Sequence, residues 1–385
     1  MIKRVILFVV DGLGVGAAAD ASEYGDAAAH TLAHLADSVG GLNLPTLESL
    51  GLGHVSEVQG VRTMAQPTGC FGRLGFKSKG VDSLVGYWEI AGCPSDVESA
   101  GFPGGYPPEM VAALEQNFGR KVLGHGLCSG PAALRDWGAD HLSSGAPIVW
   151  TDGRQTCFLA AHDSVWRPEE LYQRARESRK ALKDAWGIRR VVAYPLVGSP
   201  GALQFGPGRR DFAGEPPNLT MLDVLNRASQ ILIGVGKVGD LFGGRGLTRS
   251  VAAHAWTDAL DEVEGMFKKV PRGLIFAGLD IIGHDAPRSA IALHDFDRRL
   301  PDLLDQLRAG DLLIITGDHG RDARKPHAVP TREYVPFLIT GPKLAQGVDF
   351  GIRASAADVG QTIVEALQGE SLAIGESFLD VLRAG

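Results

Sequence analysis

Three stretches of this chain, far apart in sequence, share one grammar: a β-branched apolar run that stops at a carboxylate. Arg4-Val5-Ile6-Leu7-Phe8-Val9-Val10 stops at Asp11-Gly12. Gly273-Leu274-Ile275-Phe276-Ala277-Gly278-Leu279 stops at Asp280, with His284 four residues on. Asp311-Leu312-Leu313-Ile314-Ile315-Thr316-Gly317 stops at Asp318-His319-Gly320, with His327 beyond. Runs of this length without polar alternation predict strands buried on both faces of a parallel sheet. Open α/β sheets bind ligands just beyond the carboxyl ends of their strands. The pattern therefore predicts one crevice holding Asp11, Asp280, His284, Asp318, His319 and His327. Three carboxylates and three imidazoles suit divalent transition metals, and there are enough of them for two ions.

Composition narrows the setting. At 385 residues the chain has room for a large core and for two domains. A formal charge of −7, with no Lys/Arg cluster, argues against binding nucleic acid. The apolar start is too short to span a bilayer, is broken by Asp11 and lacks a small-residue cleavage site. It reads as neither signal peptide nor membrane anchor. Cys70, Cys93, Cys128 and Cys157 form no CxxC pair, a pattern expected of reduced thiols in a cytoplasmic protein.

The texture of the chain changes near residue 98, where Pro103, Gly104, Gly105, Pro107 and Pro108 cluster. Helical patterns follow at 108–118 and 168–186, with strand patterns at 146–150 and 190–194. Gly198 to Pro217, rich in Gly and Pro, reads as a loop returning the chain to the first domain. A buried strand at 231–236 comes next, and helices at 257–269 and 289–308 alternate with the two later metal-type strands. The expected fold class is α/β, a doubly wound, mostly parallel sheet built from residues 1–97 and 215–385. A smaller α/β cap domain, 98–214, is inserted in it.

Singly, each Asp reads as a helix cap or turn former and each His as a satisfied polar residue. Coincidence at three strand ends makes a metal centre the better reading. Asp318-His319-Gly320 is the sharpest signal, since adjacent residues on a tight turn can face one ion and Gly320 lets the backbone bend away. Ser83 is the candidate nucleophile, because a metal-activated hydroxyl can attack phosphorus; from spacing alone it is a turn hydroxyl. Asp82 either orients that loop or caps a turn. Arg321 either reaches a phosphoryl oxygen or is a solvated loop arginine. Lys237 either serves the second metal position or pairs with Asp240. Trp88 and Trp150 read as packing residues.

Longer motifs carry a family resemblance. Val10-Asp11-Gly12-Leu13-Gly14-Val15-Gly16-Ala17-Ala18, Asp82-Ser83-Leu84-Val85-Gly86-Tyr87-Trp88-Glu89 and Gly234-Val235-Gly236-Lys237-Val238-Gly239-Asp240-Leu241-Phe242 are three of them. Phe296-Asp297-Arg298-Arg299-Leu300-Pro301 and Thr331-Arg332-Glu333-Tyr334-Val335-Pro336 are two more. Through them the chain resembles the phosphopentomutases of the alkaline phosphatase superfamily, nearly end to end. Cofactor-independent phosphoglycerate mutase is a more distant likeness.

The resemblance implies a core with two divalent ions, usually manganese, with zinc or magnesium as alternatives, under a mobile cap. By motif position Asp11, Asp318 and His319 look like ligands of one ion, and Asp280, His284 and His327 of the other. Ser83 stands where the family carries a phosphorylated threonine that bridges both ions. The implied reaction moves a phosphoryl group between C1 and C5 of ribose or deoxyribose, with a sugar bisphosphate as a candidate activator.

Several positions depart from the family pattern. Val81 replaces a lysine, and Gly86-Tyr87-Trp88-Glu89 stands for Gly-His-Trp-Glu. In the cap, Arg154 replaces an aspartate, and Tyr194 and Gln204-Phe205-Gly206 replace arginine-bearing segments. Arg209, Arg210 and Asp211 keep their places. Arg154, Arg209, Arg210 and Arg321 are therefore the expected substrate-binding residues. The lost cap arginines also motivate an alternative: a phosphohydrolase, or a mutase of a non-pentose phosphate or phosphonate.

Overall fold

The structure, a computed structural model, describes residues 1–96 and 101–383. The domain boundary expected at 97/98 lies outside the described residues. Contacts divide the chain into two compact units: Met1–Val97, Pro216–Gly239 and Gly244–Gly385, and Glu98–Glu215 with Asp240–Gly243.

Strands are numbered in chain order: β1 (Arg4–Val10), β2 (Cys70–Leu74), β3 (Leu123–Leu127), β4 (Ile148–Thr151), β5 (Thr156–His162), β6 (Arg190–Val197) and β7 (Gln204–Phe205). They continue as β8 (Arg210–Ala213), β9 (Leu232–Val235), β10 (Arg249–Val251), β11 (Gly273–Leu279), β12 (Asp311–Gly317), β13 (Val335–Thr340) and β14 (Asp349–Arg353).

The first unit is built on an eight-stranded sheet in the order β10-β9-β11-β1-β12-β13-β2-β14. β13 alone runs against its neighbours on both sides; the other pairings are parallel. Every residue of β1, β11 and β12 is buried, as strands covered on both faces require. The helices Trp256–Phe267 and Ala286–Leu304 join successive strands of the sheet. Phe296 from the second of them meets Phe8 of β1 edge-on, at 6.0 Å between centroids.

Register explains why distant carboxylates converge. Val10 of β1 lies opposite Leu279 of β11 on one side and Gly317 of β12 on the other. The residue following each is Asp11, Asp280 or Asp318. Three adjacent strands thus end at one level, and each delivers a carboxylate to the same edge.

The second unit carries a sheet in the order β3-β4-β5-β6-β7, with β8 also paired to β6. The helices Pro108–Phe118 and Pro168–Trp186 pack on one face, where Val149, Leu159 and Val191 point. The helix Gly130–Ser144 packs on the other, against Ile148, Trp150 and Leu196. Residues 198–217 differ from the loop expected of them. They hold β7 and β8, both antiparallel to β6. Trp88 and Trp150 are buried, as packing residues should be.

Candidate metal centre and nucleophile

Ser83 opens the helix Ser83–Ile90, and every residue of that helix is buried. Asp82 is its N-cap, accepting a hydrogen bond from the Val85 amide at 3.1 Å. The stretch is therefore a capped helix, not the turn its spacing suggested. Gly86 lets this helix approach the Asp318 turn, since a Cβ there would lie 2.3 Å from the Asp318 carbonyl oxygen. Gly86→Ala should cost about 2–3 kcal/mol of stability, because a backbone carbonyl cannot step aside. Urea unfolding measures it.

At the strand ends, Asp11, Asp318 and His319 offer ligand atoms that all lie within 4.8 Å of one another, and all three residues are buried. The Ser83 hydroxyl donates to Asp11 Oδ2 at 3.0 Å and lies 3.3 Å from His319 Nε2. His319 Nδ1 sits 2.8 Å from the Gly320 carbonyl. A carbonyl only accepts, so Nδ1 carries the proton and Nε2 presents its lone pair to the cluster.

Asp318 uses one oxygen, Oδ1, to accept from the Gly12 amide at 3.0 Å. Its other oxygen, Oδ2, is buried without a hydrogen-bond partner. Leaving a buried carboxylate oxygen bare costs free energy that a cation at that point would recover. Beside an imidazole lone pair and a second carboxylate, that orphan atom is what a metal site requires, so the donor set fits a divalent ion.

Charge is unevenly distributed. Burial opposes ionisation of Asp11, but Lys237, Arg321 and His319 outweigh it and hold the carboxyl well below its usual range. Burial raises the Asp318 carboxyl instead; His319 offsets this in part and Asp11 adds to it. Desolvation, then Arg321, push the His284 imidazole down to about 4, which leaves it neutral and able to ligate at pH 7.

Of the residues expected in the crevice, Asp11, Asp318, His319 and Ser83 are in direct contact. Asp280 joins them through Lys237, whose Nζ bonds Asp11 Oδ2 and lies 2.7 Å from Asp280 Oδ1. These contacts fit the first of the two readings that the sequence offered for Lys237, beside the second metal position. Asp240 accepts from the Asp211 amide at 2.8 Å. His284 Nδ1 lies 3.1 Å from the carbonyl of His327, so these two loops meet. Among the described residues, the side chains of Asp280, His284 and His327 do not close into a three-ligand set as Asp11, Asp318 and His319 do.

Arg321 reaches Asp11 Oδ1 at 3.4 Å. Arg154, Arg209 and Arg210 belong to the second unit. There Arg209 grips Asp211 at 3.0 and 3.2 Å, and Arg210 lies 3.4 Å from Asp240. Arg154 follows a turn in which its amide donates to Asp152 Oδ1 at 3.0 Å.

Sequence reasoning passed over the residue that fastens this loop cluster. Glu333, 1% exposed, accepts from the Gly16 and Thr31 amides at 3.1 and 2.8 Å and from the Thr31 and Thr331 hydroxyls at 2.7 Å each. Thr31 Oγ1 in turn accepts from the Arg321 amide at 2.7 Å. Nothing in a lone Thr-Arg-Glu announces a four-donor acceptor. Glu333→Gln must turn an amide donor toward other donors, and should lower stability by about 3 kcal/mol, read as a fall in Tm.

Residues 258–371 match the model of the Metalloenzyme superfamily. A curated protein named phosphopentomutase from Dictyoglomus turgidum is 39% identical to this chain, covering 100% of it and 99% of the relative. One of the same name from Clostridium kluyveri is 37% identical, covering 99% of this chain and all of its own length. A third, from Desulfitobacterium hafniense, is 38% identical over 99% of this chain and 100% of its own.

Proposed function

The chain belongs to the phosphopentomutase family and is a metal-dependent phosphomutase; we propose that Ser83 carries the phosphoryl group as it moves between the C1 and C5 oxygens of ribose or deoxyribose. The observation that supports this most is the position of the Ser83 hydroxyl, 3.0 Å from Asp11 and 3.3 Å from the His319 lone pair.

Asp11, Asp318 and His319 would hold one divalent ion, and Asp280, His284 and His327 a second. We assign manganese to both. Such ions supply charge that lowers the pKa of the serine hydroxyl and neutralises the oxygens of the transferring group. The chain's own residues do the rest. Asp11 orients the Ser83 hydroxyl, and Gly320 fixes the His319 tautomer. Ser83 also stands at the amino end of its helix, where unpaired amides and the helix dipole favour an anion. Arg321 adds a fixed positive charge beside it. A sugar bisphosphate would first phosphorylate Ser83. Arg154, Arg209 and Arg210 carry charge suited to the phosphate of the substrate.

Incubating the protein with ribose 1-phosphate, Mn²⁺ and a trace of sugar bisphosphate under phosphorus NMR tests this reading. Ribose 5-phosphate should accumulate with little inorganic phosphate. Phosphate release without isomerisation would favour a hydrolase and contradict it.

A further inference from the structure

We infer that Lys237 is a built-in counter-cation: its ammonium holds Asp280 to Asp11, so the second metal position becomes available only when that ammonium withdraws. The inference rests on the two-ion reading above and adds an order of loading to it.

Lys237 follows β9, the neighbour of β11. Its side chain is 5% exposed and runs between the ends of those strands to the carboxylates. The Nζ contacts one oxygen of Asp11 and lies 2.7 Å from Asp280 Oδ1. It also sits 5.4 Å from the centroid of the Tyr87 ring, within range of a cation–π attraction. Tyr87 is fully buried and stacked on Phe276, at 5.5 Å between centroids.

Gly278 makes the arrangement possible. A Cβ at that position would stand 2.5 Å from the Tyr87 hydroxyl and 3.2 Å from Lys237 Cγ. One missing side chain in β11 thus opens the space through which both groups pass. The lysine is built in, not a surface chain that has folded over by chance.

The two candidate positions therefore differ before any ion arrives. At the first, Asp318 Oδ2 has no hydrogen-bond partner, and Asp11 Oδ1, which takes a long 3.4 Å contact from Arg321, faces His319 at 3.8 Å. An ion can enter there without breaking the lysine's contacts. At the second, Asp280 already holds a positive charge. A dication approaching it meets repulsion from the ammonium at short range, where Coulomb energies are largest. Removing the lysine also gives up its desolvated pair with Asp11, whose side chain is 10% exposed against 46% for Asp280. Loading should be stepwise, with the Asp11–Asp318–His319 position filled first.

Calorimetric titration with Mn²⁺, with the manganese spin resonance spectrum followed in parallel, tests this without any assay of turnover. Native protein should take two ions in separate steps, the second weaker by about tenfold or more. Lys237→Met should tighten the second step by about tenfold while changing the first much less. Lys237→Gln, which keeps a polar head without the charge, should behave likewise and serves if the methionine variant does not fold. Simultaneous loading of both ions by native protein would overturn the inference. So would two ions with an unchanged ratio of affinities in the variants, a result that leaves the two-ion reading standing. If neither native protein nor variant takes more than one ion, the two-ion reading falls and the inference with it.

Discussion

Ser83→Ala should reduce isomerisation by about a thousandfold or more while leaving the fold unchanged. The hydroxyl donates a single hydrogen bond, to Asp11 at 3.0 Å. Asp11 keeps Lys237 and Arg321 as partners when that bond is lost. The helix cap is Asp82, not Ser83, so the start of the helix survives. Loss of activity with normal circular dichroism and an unchanged Tm is therefore expected. Intact mass spectrometry after incubation with a sugar bisphosphate should show one added phosphoryl group on native protein and none on the variant. Turnover within tenfold of native would remove Ser83 from the chemistry.

Asp318→Asn should separate stability from function in opposite directions. Its carboxylate is buried, one of its oxygens is bare, and burial raises its pKa. In the metal-free protein this group contributes stability fully below its unfolded value near 3.9 and loses that contribution as pH rises through the higher folded value. At pH 7 the ionised group is therefore a cost. Asparagine removes the charge, and metal-free Asp318→Asn should be more stable than native by about 1 kcal/mol at pH 7. In the proposed centre the same change deletes an anionic ligand, so Mn²⁺ affinity should fall by about a hundredfold or more. Thermal melts with and without Mn²⁺ read both effects. The variant should melt higher without metal and gain little from it, whereas native protein should gain several degrees.

The sheet core was legible because its strands are unambiguous. β1, β11 and β12 are seven-residue strands that are apolar apart from Arg4, Asp311 and Thr316, and each ends where a carboxylate interrupts it. The helices at 108–118 and 168–186 also lie where their periodicity placed them. Periodicity failed where one face does not differ from another. The helix Ser83–Ile90 is buried all round, so it shows no polar stripe by which to recognise it. β7 and β8 lie in a Gly/Pro-rich segment whose own pattern says loop. They form because β6 offers an edge to pair with, which local sequence does not record.

The site shows the same division. Asp11, Asp318 and His319 were readable, since strand ends in a parallel sheet have a known destination. Lys237 was left with two readings, the second metal position or a pair with Asp240. The turn at Gly236, with φ of 70°, is followed by a side chain that runs to Asp11 and Asp280. Glu333 was quoted only within a motif and given no role, because that role is set by four donors on Gly16, Thr31 and Thr331.

Anomalous diffraction at the manganese edge, from crystals soaked in Mn²⁺, bears most directly on the claim that these strand ends form a metal-activated serine centre. A peak within bonding distance of Asp11, Asp318 and His319, and beside the Ser83 oxygen, is the expected result. Density for manganese elsewhere, with the Asp318 carboxylate still bare, would contradict it.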